Sequence, residues 1–154
     1  MSSSYNIDWF ERWALYTPEK IALEEHETGE VATYSQLNEY ANKLAQIAEQ
    51  EWNLKQGDRL AVIAENSIAL VALLGLAQKT GIIIAPLNYR LKPAELDDLM
   101  EMLNPGVVLY DEKYSEKLSS GKLLSAISHK HSLEGIYDRL RNDPKTAINK
   151  KKQY

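Results

Sequence analysis

Residues 55–93 constrain the fold of this sequence most strongly, because two short apolar runs flank one longer apolar segment. Residues 59–64 are rich in β-formers, and Ser67 stands where a helix-capping hydroxyl is expected, just before residues 68–79. That middle segment is long enough for about three helical turns. It is followed by residues 82–85, which are apolar on both faces. The stretch therefore predicts a strand–helix–strand unit whose parallel strands are covered by helices.

The rest of the chain extends this unit into a larger fold. Apolar spacing and turn residues predict helices over 8–16, 35–52 and 93–103, a hairpin over 21–34 and a further strand over 107–110. Because crossovers between parallel strands are right-handed, the helices should cover a parallel sheet of at least three strands. The fold class is therefore predicted as three-layer α/β, with a mostly parallel sheet flanked by helices and an N-terminal hairpin.

The balance of charge changes near residue 114. Residues 1–114 hold 9 Lys and Arg against 18 Asp and Glu, whereas residues 115–154 hold 9 against 4. We therefore predict one unit over 1–114 and a basic, helical tail over 115–154. The tail residues that could face a core are Leu123, Leu124 and Ile127, and then Leu133, Ile136, Tyr137 and Leu140 on a later helix. A lysine run at 150–152 is explained better by a solvated terminus than by nucleic-acid binding, since aromatic residues do not alternate with it.

Several short segments resemble landmarks of one enzyme family, in the same order and at similar spacing. They are TPEKIAL (17–23), TYSQL (33–37), GDRLA (57–61), LAQKTGIIIAPLN (76–88) and RL (90–91). Together they resemble the N-terminal portion of adenylate-forming (AMP-binding) ligases, with acyl-CoA synthetases as the nearest match, over roughly the first three quarters of the chain. The resemblance implies a partial N-terminal domain of the acyl-CoA synthetase-like fold. Ile82 and residues 104–106 depart from the family pattern, which leaves the acyl substrate open.

Ligases of this family activate a carboxylic acid with ATP and Mg²⁺ and then pass the acyl group to CoA. The family uses a loop rich in Ser, Thr and Gly that ends in lysine, and a C-terminal lysine on a mobile lid. The seven glycines of this chain are not spaced to form such a loop, and residues 119–122 are better explained as a polar turn between helices. We expect a truncated ligase fragment that is inactive alone, without a catalytic residue, cofactor or metal of its own.

A second interpretation of the whole chain stays open. The same unit could be a non-enzymatic binding or assembly module that pairs with another chain, and a tail that packs closely and closes the sheet would favour it. In the intact family, later sequence covers one side of the sheet. We therefore expect this chain to expose apolar surface there, and to self-associate or bind the missing C-terminal portion.

Arg90 is the candidate cofactor-binding residue. Asn88, Tyr89, Arg90 and Lys92 follow a predicted parallel strand at its carboxyl end, which is where open α/β sheets place ligand sites. In an intact ligase of the type that the chain resembles, Arg90 is expected to pair with a phosphate of CoA. The alternative is a structural arginine that bonds to the carbonyls of its own loop.

Other polar residues have simpler structural explanations. His129 and His131 could act as metal ligands with Glu134 only if their segment is extended, and a polar surface loop is favoured instead. Asp97 and Asp98 are neighbours on a predicted helix and do not face one another, so we expect a wet helix face there. No metal site is predicted from these residues.

Composition limits the cellular setting. Hydrophobic residues make up 44% and charged residues 26% of the chain, which is typical of globular proteins. No apolar run is long enough to span a bilayer, and the first residues lack the pattern of a signal peptide. The absence of cysteine removes disulfides and thiolate metal sites. We therefore expect a cytoplasmic protein.

Overall fold

The computed structural model describes residues 7–142, so the lysine run at 150–152 lies outside the described residues. The helices are α1 (Trp9–Tyr16), α2 (Tyr34–Gln50), α3 (Ile68–Thr80), α4 (Pro93–Leu103), α5 (Ser115–Ser120), α6 (Lys122–Ala126) and α7 (Leu133–Asn142). The strands are β1 (Ile21–Glu24), β2 (Val31–Thr33), β3 (Arg59–Ile63), β4 (Ile83–Pro86), β5 (Val107–Tyr110) and β6 (Lys130–Ser132). Within this described range, none of the helices is both long and apolar enough to cross a membrane.

The main sheet has four parallel strands in the order β4-β3-β5-β6, and β1 and β2 form a separate antiparallel hairpin. Leu60 in β3 pairs with Ile84 on one side and with Val107 on the other, so β3 lies inside the sheet. Parallel neighbours need crossover connections, which α3 provides between β3 and β4 and α4 between β4 and β5. The strand–helix–strand prediction for residues 55–93 is confirmed.

Side chains from the two faces of the sheet form two separate cores. The first core holds Leu60, Val62 and Val107 together with apolar residues of α2, α3 and α7. The second core holds Ala61 and Ile63 together with apolar residues of α4, α5 and α6. Because side chains alternate along β3, helices cover the sheet on both faces. The predicted three-layer α/β architecture is confirmed.

Local sequence signals determine the ends and the packing of α3. The Leu70 N–H donates to the Ser67 hydroxyl oxygen at 3.1 Å, which is the predicted N-cap. Gly81 ends the helix with a φ of 75°, a left-handed conformation that glycine adopts without a steric penalty. In the middle of α3, a Cβ on Gly75 would lie 2.6 Å from the Cβ of Ala41. Glycine at this position therefore allows the close approach of α2 and α3.

Residues 115–142 pack onto the sheet more completely than the sequence predicts. Tyr110 pairs with Ser132, so β6 adds a fourth strand beside β5. Of the tail residues predicted to face a core, Leu124, Leu133, Ile136 and Leu140 are buried, whereas Leu123 is 41% exposed. The expected bare apolar face is not present in the described residues, because α5 and α6 join α4 in covering that side of the sheet. The expectation was wrong because it did not place α5 and α6 in the layer of helices that covers this face of the sheet.

Candidate functional site

The loop after β4 lies at the carboxyl end of the parallel sheet and holds Arg90. The Arg90 N–H donates to the Asn88 Oδ1 at 3.0 Å, and the Leu91 N–H donates to the Asn88 carbonyl at 3.1 Å. From α5, the Lys117 ammonium donates to the Tyr89 carbonyl. Three hydrogen bonds therefore fix the backbone of the loop, and one of them comes from a helix of the tail.

Two stacked tyrosines support this loop. The rings of Tyr89 and Tyr114 lie 5.3 Å apart and 16° from parallel. The Arg90 guanidinium lies 5.7 Å from the centroid of the Tyr89 ring, and the ammonium groups of Lys113 and Lys117 lie 5.4 and 5.5 Å from the centroid of the Tyr114 ring. Each cation gains from the negative face of an aromatic ring. We call Arg90, Lys113 and Lys117 the cationic cluster.

One carboxylate partly balances the cationic cluster. Glu65 accepts hydrogen bonds from the Lys113 ammonium and the Tyr114 hydroxyl, both at 2.8 Å. These bonds, with Lys113 as the larger cause, lower the pKa of Glu65, and the same contact raises the pKa of Lys113. Burial and then Glu65 raise the pKa of the Tyr114 hydroxyl. Glu65 therefore bonds directly to the cationic cluster, and the Asp111 carboxylate acts on Lys113 from further away.

Arg90 and Lys113 are exposed members of the cationic cluster, whereas Lys117 is half-buried. In the described part of the chain, the Arg90 guanidinium lies over the Tyr89 ring and donates no hydrogen bond to a carbonyl or carboxylate. The structure therefore differs from the alternative in which Arg90 bonds to its own loop, because Lys117 makes the contact to the loop carbonyl. A planar guanidinium with exposed donors is suited to bidentate binding of a phosphate.

A second concave region at the same end of the sheet is acidic. It is a cavity of about 280 Å³ whose lining includes the carboxylates of Glu25, Glu65, Asp111 and Glu134 beside the ammonium group of Lys113. Burial raises the pKa of Asp111, although its carboxylate accepts the Glu65 N–H at 2.7 Å. At the start of α3, Glu25 already accepts the Ile68 N–H at 2.7 Å. A triphosphate would meet carboxylates in this cavity, so the cavity is poorly suited to bind one.

Asp97 has a structural role that the sequence did not predict. Its carboxylate accepts the N–H groups of Lys122 at 2.7 Å, Leu123 at 3.1 Å and Leu124 at 3.2 Å, which are the first residues of α6. Asp97 therefore caps a neighbouring helix and does not belong to a solvent-exposed helix face, whereas Asp98 is exposed as expected. The earlier expectation was wrong because the partner helix lies far away in sequence.

His131 differs from the prediction of a polar surface loop, whereas His129 lies in the loop before β6. His131 lies in β6, its ring centroid is 6.2 Å from that of His129, and its environment is half-buried. Among residues 7–142, no group of three or more His, Cys, Asp or Glu side chains is arranged to hold a metal ion. Residues 119–122 form the end of α5 and the start of α6, as the prediction of a turn between helices requires.

Tyr114 and Lys117 belong to the site, although the sequence alone does not point to them. One signal was available, because Tyr89 and Tyr114 follow β4 and β5, and the carboxyl ends of parallel strands meet at one edge of a sheet. The contact of Lys117 with the Tyr89 carbonyl depends on the packing of α5, which no local pattern indicates.

An open parallel α/β sheet with a polar loop beyond the carboxyl ends of its strands is the architecture of many enzymes that bind nucleotides and cofactors. A family model described as AMP-binding enzyme matches residues 10–154. The chain therefore belongs to the AMP-binding, adenylate-forming enzyme family, as the order of its sequence landmarks indicates.

The relatives are much longer than this chain. The long-chain-fatty-acid–CoA ligase FadD13 of Mycobacterium tuberculosis is 32% identical over 106 residues, which cover 68% of this chain and 21% of that ligase. The hybrid PKS-NRPS synthetase LUC5 of a Fusarium species is 28% identical over 145 residues, which cover 94% of this chain and 4% of that synthetase. The chain thus spans between 4% and 21% of the length of these two relatives.

Solved structures share the fold. The N-terminal domain of FACL13 from Mycobacterium tuberculosis has a TM-score of 0.77 at 24% identity, with 88% of this chain and 35% of that chain covered. VinN, solved with 3-methylaspartate, has a TM-score of 0.75 at 20% identity, with 94% of this chain and 39% of that chain covered. The coverage of this chain means that much of the segment after β5 also lies within the shared fold.

Proposed function

We propose that this chain is the N-terminal portion of an ATP-dependent acid–thiol ligase, which as a complete protein adenylates a carboxylic acid and transfers the acyl group to CoA. The proposal rests on the family match over residues 10–154 and is supported by the fold shared with the FACL13 N-terminal domain. FadD13 is named for long-chain fatty acids, so a fatty acid is the first substrate to test, in a cytoplasmic setting.

The chain alone should be inactive. Its glycines form no triphosphate loop, and the cavity at the carboxyl end of the sheet is lined by carboxylates. ATP and Mg²⁺ would therefore bind to other parts of a complete ligase. We expect no ATP–pyrophosphate exchange when the purified chain is mixed with a fatty acid, ATP and Mg²⁺. Exchange above the rate measured without protein would contradict this part of the proposal.

The contribution of this chain to the ligase site would be to hold CoA. Within the cationic cluster, the exposed Arg90 guanidinium donates no hydrogen bond to another described residue. The side chain of Lys113 is 54% exposed. CoA presents phosphate groups, which are good partners for a guanidinium beside ammonium groups. In this proposal Arg90 pairs with a phosphate of CoA, while Lys117 and Tyr114 hold the loop in place.

A nuclear magnetic resonance titration of the ¹⁵N-labelled chain tests this role. CoA should shift the Arg90 Nε–H signal, whereas pantetheine, which has no phosphate, should leave it in place. Arg90→Gln should weaken CoA binding about tenfold, a change of about 1.4 kcal/mol. Arg59→Gln is the matched control, because Arg59 is an exposed arginine at the amino end of β3, whereas Arg90 lies beyond the carboxyl end of the sheet. Equal CoA affinity of the Arg90→Gln variant and the unmodified chain would remove Arg90 from the site.

A second candidate function is a non-enzymatic module that pairs with another chain. The packing of residues 115–142 favours it, because β6, α5, α6 and α7 close the sheet and the chain buries two cores by itself. The fold shared with the FACL13 N-terminal domain extends over 88% of the chain, so a packed tail also fits the ligase portion. If the chain is a non-enzymatic module, it should fold and bind a protein partner but should not bind CoA. The CoA titration described above therefore distinguishes the two functions.

A further inference from the structure

His131 occupies an unusual position in β6. Its backbone pairs with Leu109 of β5, and its imidazole stacks on the Trp52 ring at a centroid distance of 5.5 Å and an interplanar angle of 23°. The Nε2 atom is shielded from solvent and has no hydrogen-bond partner among residues 7–142. Buried polar atoms are nearly always hydrogen-bonded in folded proteins, so a buried ring nitrogen without a partner is unusual.

The charged neighbours of His131 come from each element that packs on it. His129 precedes it, with ring centroids 6.2 Å apart, Arg139 belongs to α7, and Glu51 follows the end of α2. The Arg139 guanidinium donates to both carboxylate oxygens of Glu51, at 3.1 and 2.6 Å. Of these neighbours, Arg139 is cationic, His129 is a second imidazole, and the Glu51 carboxylate is already paired with Arg139.

We propose that His131 is an acid-sensitive latch that holds β6 and α7 against α2. The neutral imidazole packs flat on Trp52 in a site that offers its buried nitrogen no partner. An imidazolium in the same position would carry a charge whose Nε2–H has no hydrogen-bond acceptor, beside a second histidine and an arginine. Protonation would therefore drive the ring out and loosen the contacts of α7, including those of Ile136 in the first core.

The direction of the pH dependence follows from the surroundings. Burial, as the largest cause, and then His129 and Arg139 lower the pKa of His131, while Glu51 opposes them. An unfolded histidine has a pKa of about 6.5, so below that pH the unfolded chain binds more protons than the folded one. The stability contributed by neutral His131 is complete above about pH 6.5 and is lost as the pH falls through this value towards the lower folded pKa.

The first test is proton titration of the intact chain, followed by the imidazole Cε1–H signals of its three histidines. The same chain unfolded in urea gives the reference midpoint. We expect the His131 midpoint of the folded chain to lie below this reference, and the amide signals of residues 130–142 to lose their folded dispersion as His131 titrates. A His131 midpoint at or above the reference would overturn the proposal, and this measurement needs no variant.

The second test compares thermal unfolding at pH 7.5 and 5.5. Because pH 5.5 lies about one unit below the pKa of an unfolded histidine, acidification should lower the Tm of the unmodified chain by at most about 3–5 °C. His131→Phe, which keeps the ring stack but cannot titrate, should lose correspondingly less, whereas the His26→Gln control should lose as much as the unmodified chain. Equal losses in the His131→Phe variant and the unmodified chain would show that the acid sensitivity lies elsewhere.

Discussion

The two edges of the main sheet are built in opposite ways. β4, with the sequence IIAP, has no charged residue, and its outer edge has no strand partner among residues 7–142. β6 has only three residues, KHS, and runs directly into α7. Folded proteins protect the edges of their sheets with short strands, charged residues and covering helices. The β6 edge has this protection, and the β4 edge has little beyond its terminal proline.

Backbone geometry shows what the β4 edge offers. The N–H groups of Ile83 and Leu87 donate to carbonyls of the β3 side, those of Asp58 and Val62, both at 2.8 Å. Because backbone groups alternate along a strand, the N–H and carbonyl of Ile84 point to the outer edge. Neither outer strand has a further strand partner among residues 7–142, but β6 is shorter and carries Lys130. We therefore call the β6 side closed and the uncharged β4 side open to another strand.

Leu140 on the closed side should give the largest effect. It is 1% exposed in the first core, so Leu140→Ala should lower the free energy of unfolding by about 2–5 kcal/mol, through lost burial and a residual cavity. Ile83 on the open side is 48% exposed, and Ile83→Ala should change the free energy of unfolding by about 0.5 kcal/mol or less. Urea unfolding measures both variants. Similar losses would mean that the two edges do not differ in packing.

Lys43 should give the next largest effect, because it joins α7 to α2. Lys43 is 6% exposed, and its ammonium donates to the Leu140 carbonyl at 2.7 Å, near the end of α7 where carbonyls lack partners within the helix. Lys43→Met keeps the length of the side chain but leaves this carbonyl unpaired, at a cost of about 1–3 kcal/mol. Lys20→Met, at an exposed position, is the control for loss of one positive charge.

A smaller loss is expected from Asp97, which connects α4 to α6 on the second face of the sheet. Asp97→Ala removes a carboxylate that accepts three N–H groups of α6, and caps of this kind contribute about 0.5–2 kcal/mol. Asp98→Ala removes the same charge from an exposed position on the same helix and should be nearly neutral. If both variants unfold at the same urea concentration, the cap does not help to hold the tail.

The repeated βα pattern made most of the fold predictable from the sequence. Between residues 59 and 110, apolar runs locate each strand, Ser67 and Gly81 mark the ends of α3, and Pro93 marks the start of α4. These signals are local, so a single sequence contains them. The three-layer arrangement then follows from right-handed crossovers.

The tail and much of the site could not be predicted in the same way. β6 contains Lys130 and His131 and has no apolar run, so its extended conformation depends on pairing with β5. The cap by Asp97 and the bond from Lys117 to the Tyr89 carbonyl both join residues more than twenty positions apart. Arg90 was identified because it follows a strand end, but its support by α5 depends on tertiary packing.

The smallest effect on stability, and the most direct test of the open edge, is expected from Ile83→Lys. The side chain of Ile83 is half exposed, so lysine should change the free energy of unfolding by only about 0.5 kcal/mol. An unprotected strand can pair with the same strand of a second copy, and a charged residue on an edge opposes such pairing. We therefore expect the unmodified chain to self-associate reversibly in sedimentation velocity experiments, and Ile83→Lys to shift it towards monomer.

Lys130→Ile is the reciprocal variant, because it removes a charge from the protected edge. If Ile83→Lys leaves the association unchanged while Lys130→Ile increases it, the chain self-associates through the β6 side, and the assignment of open and closed edges is reversed.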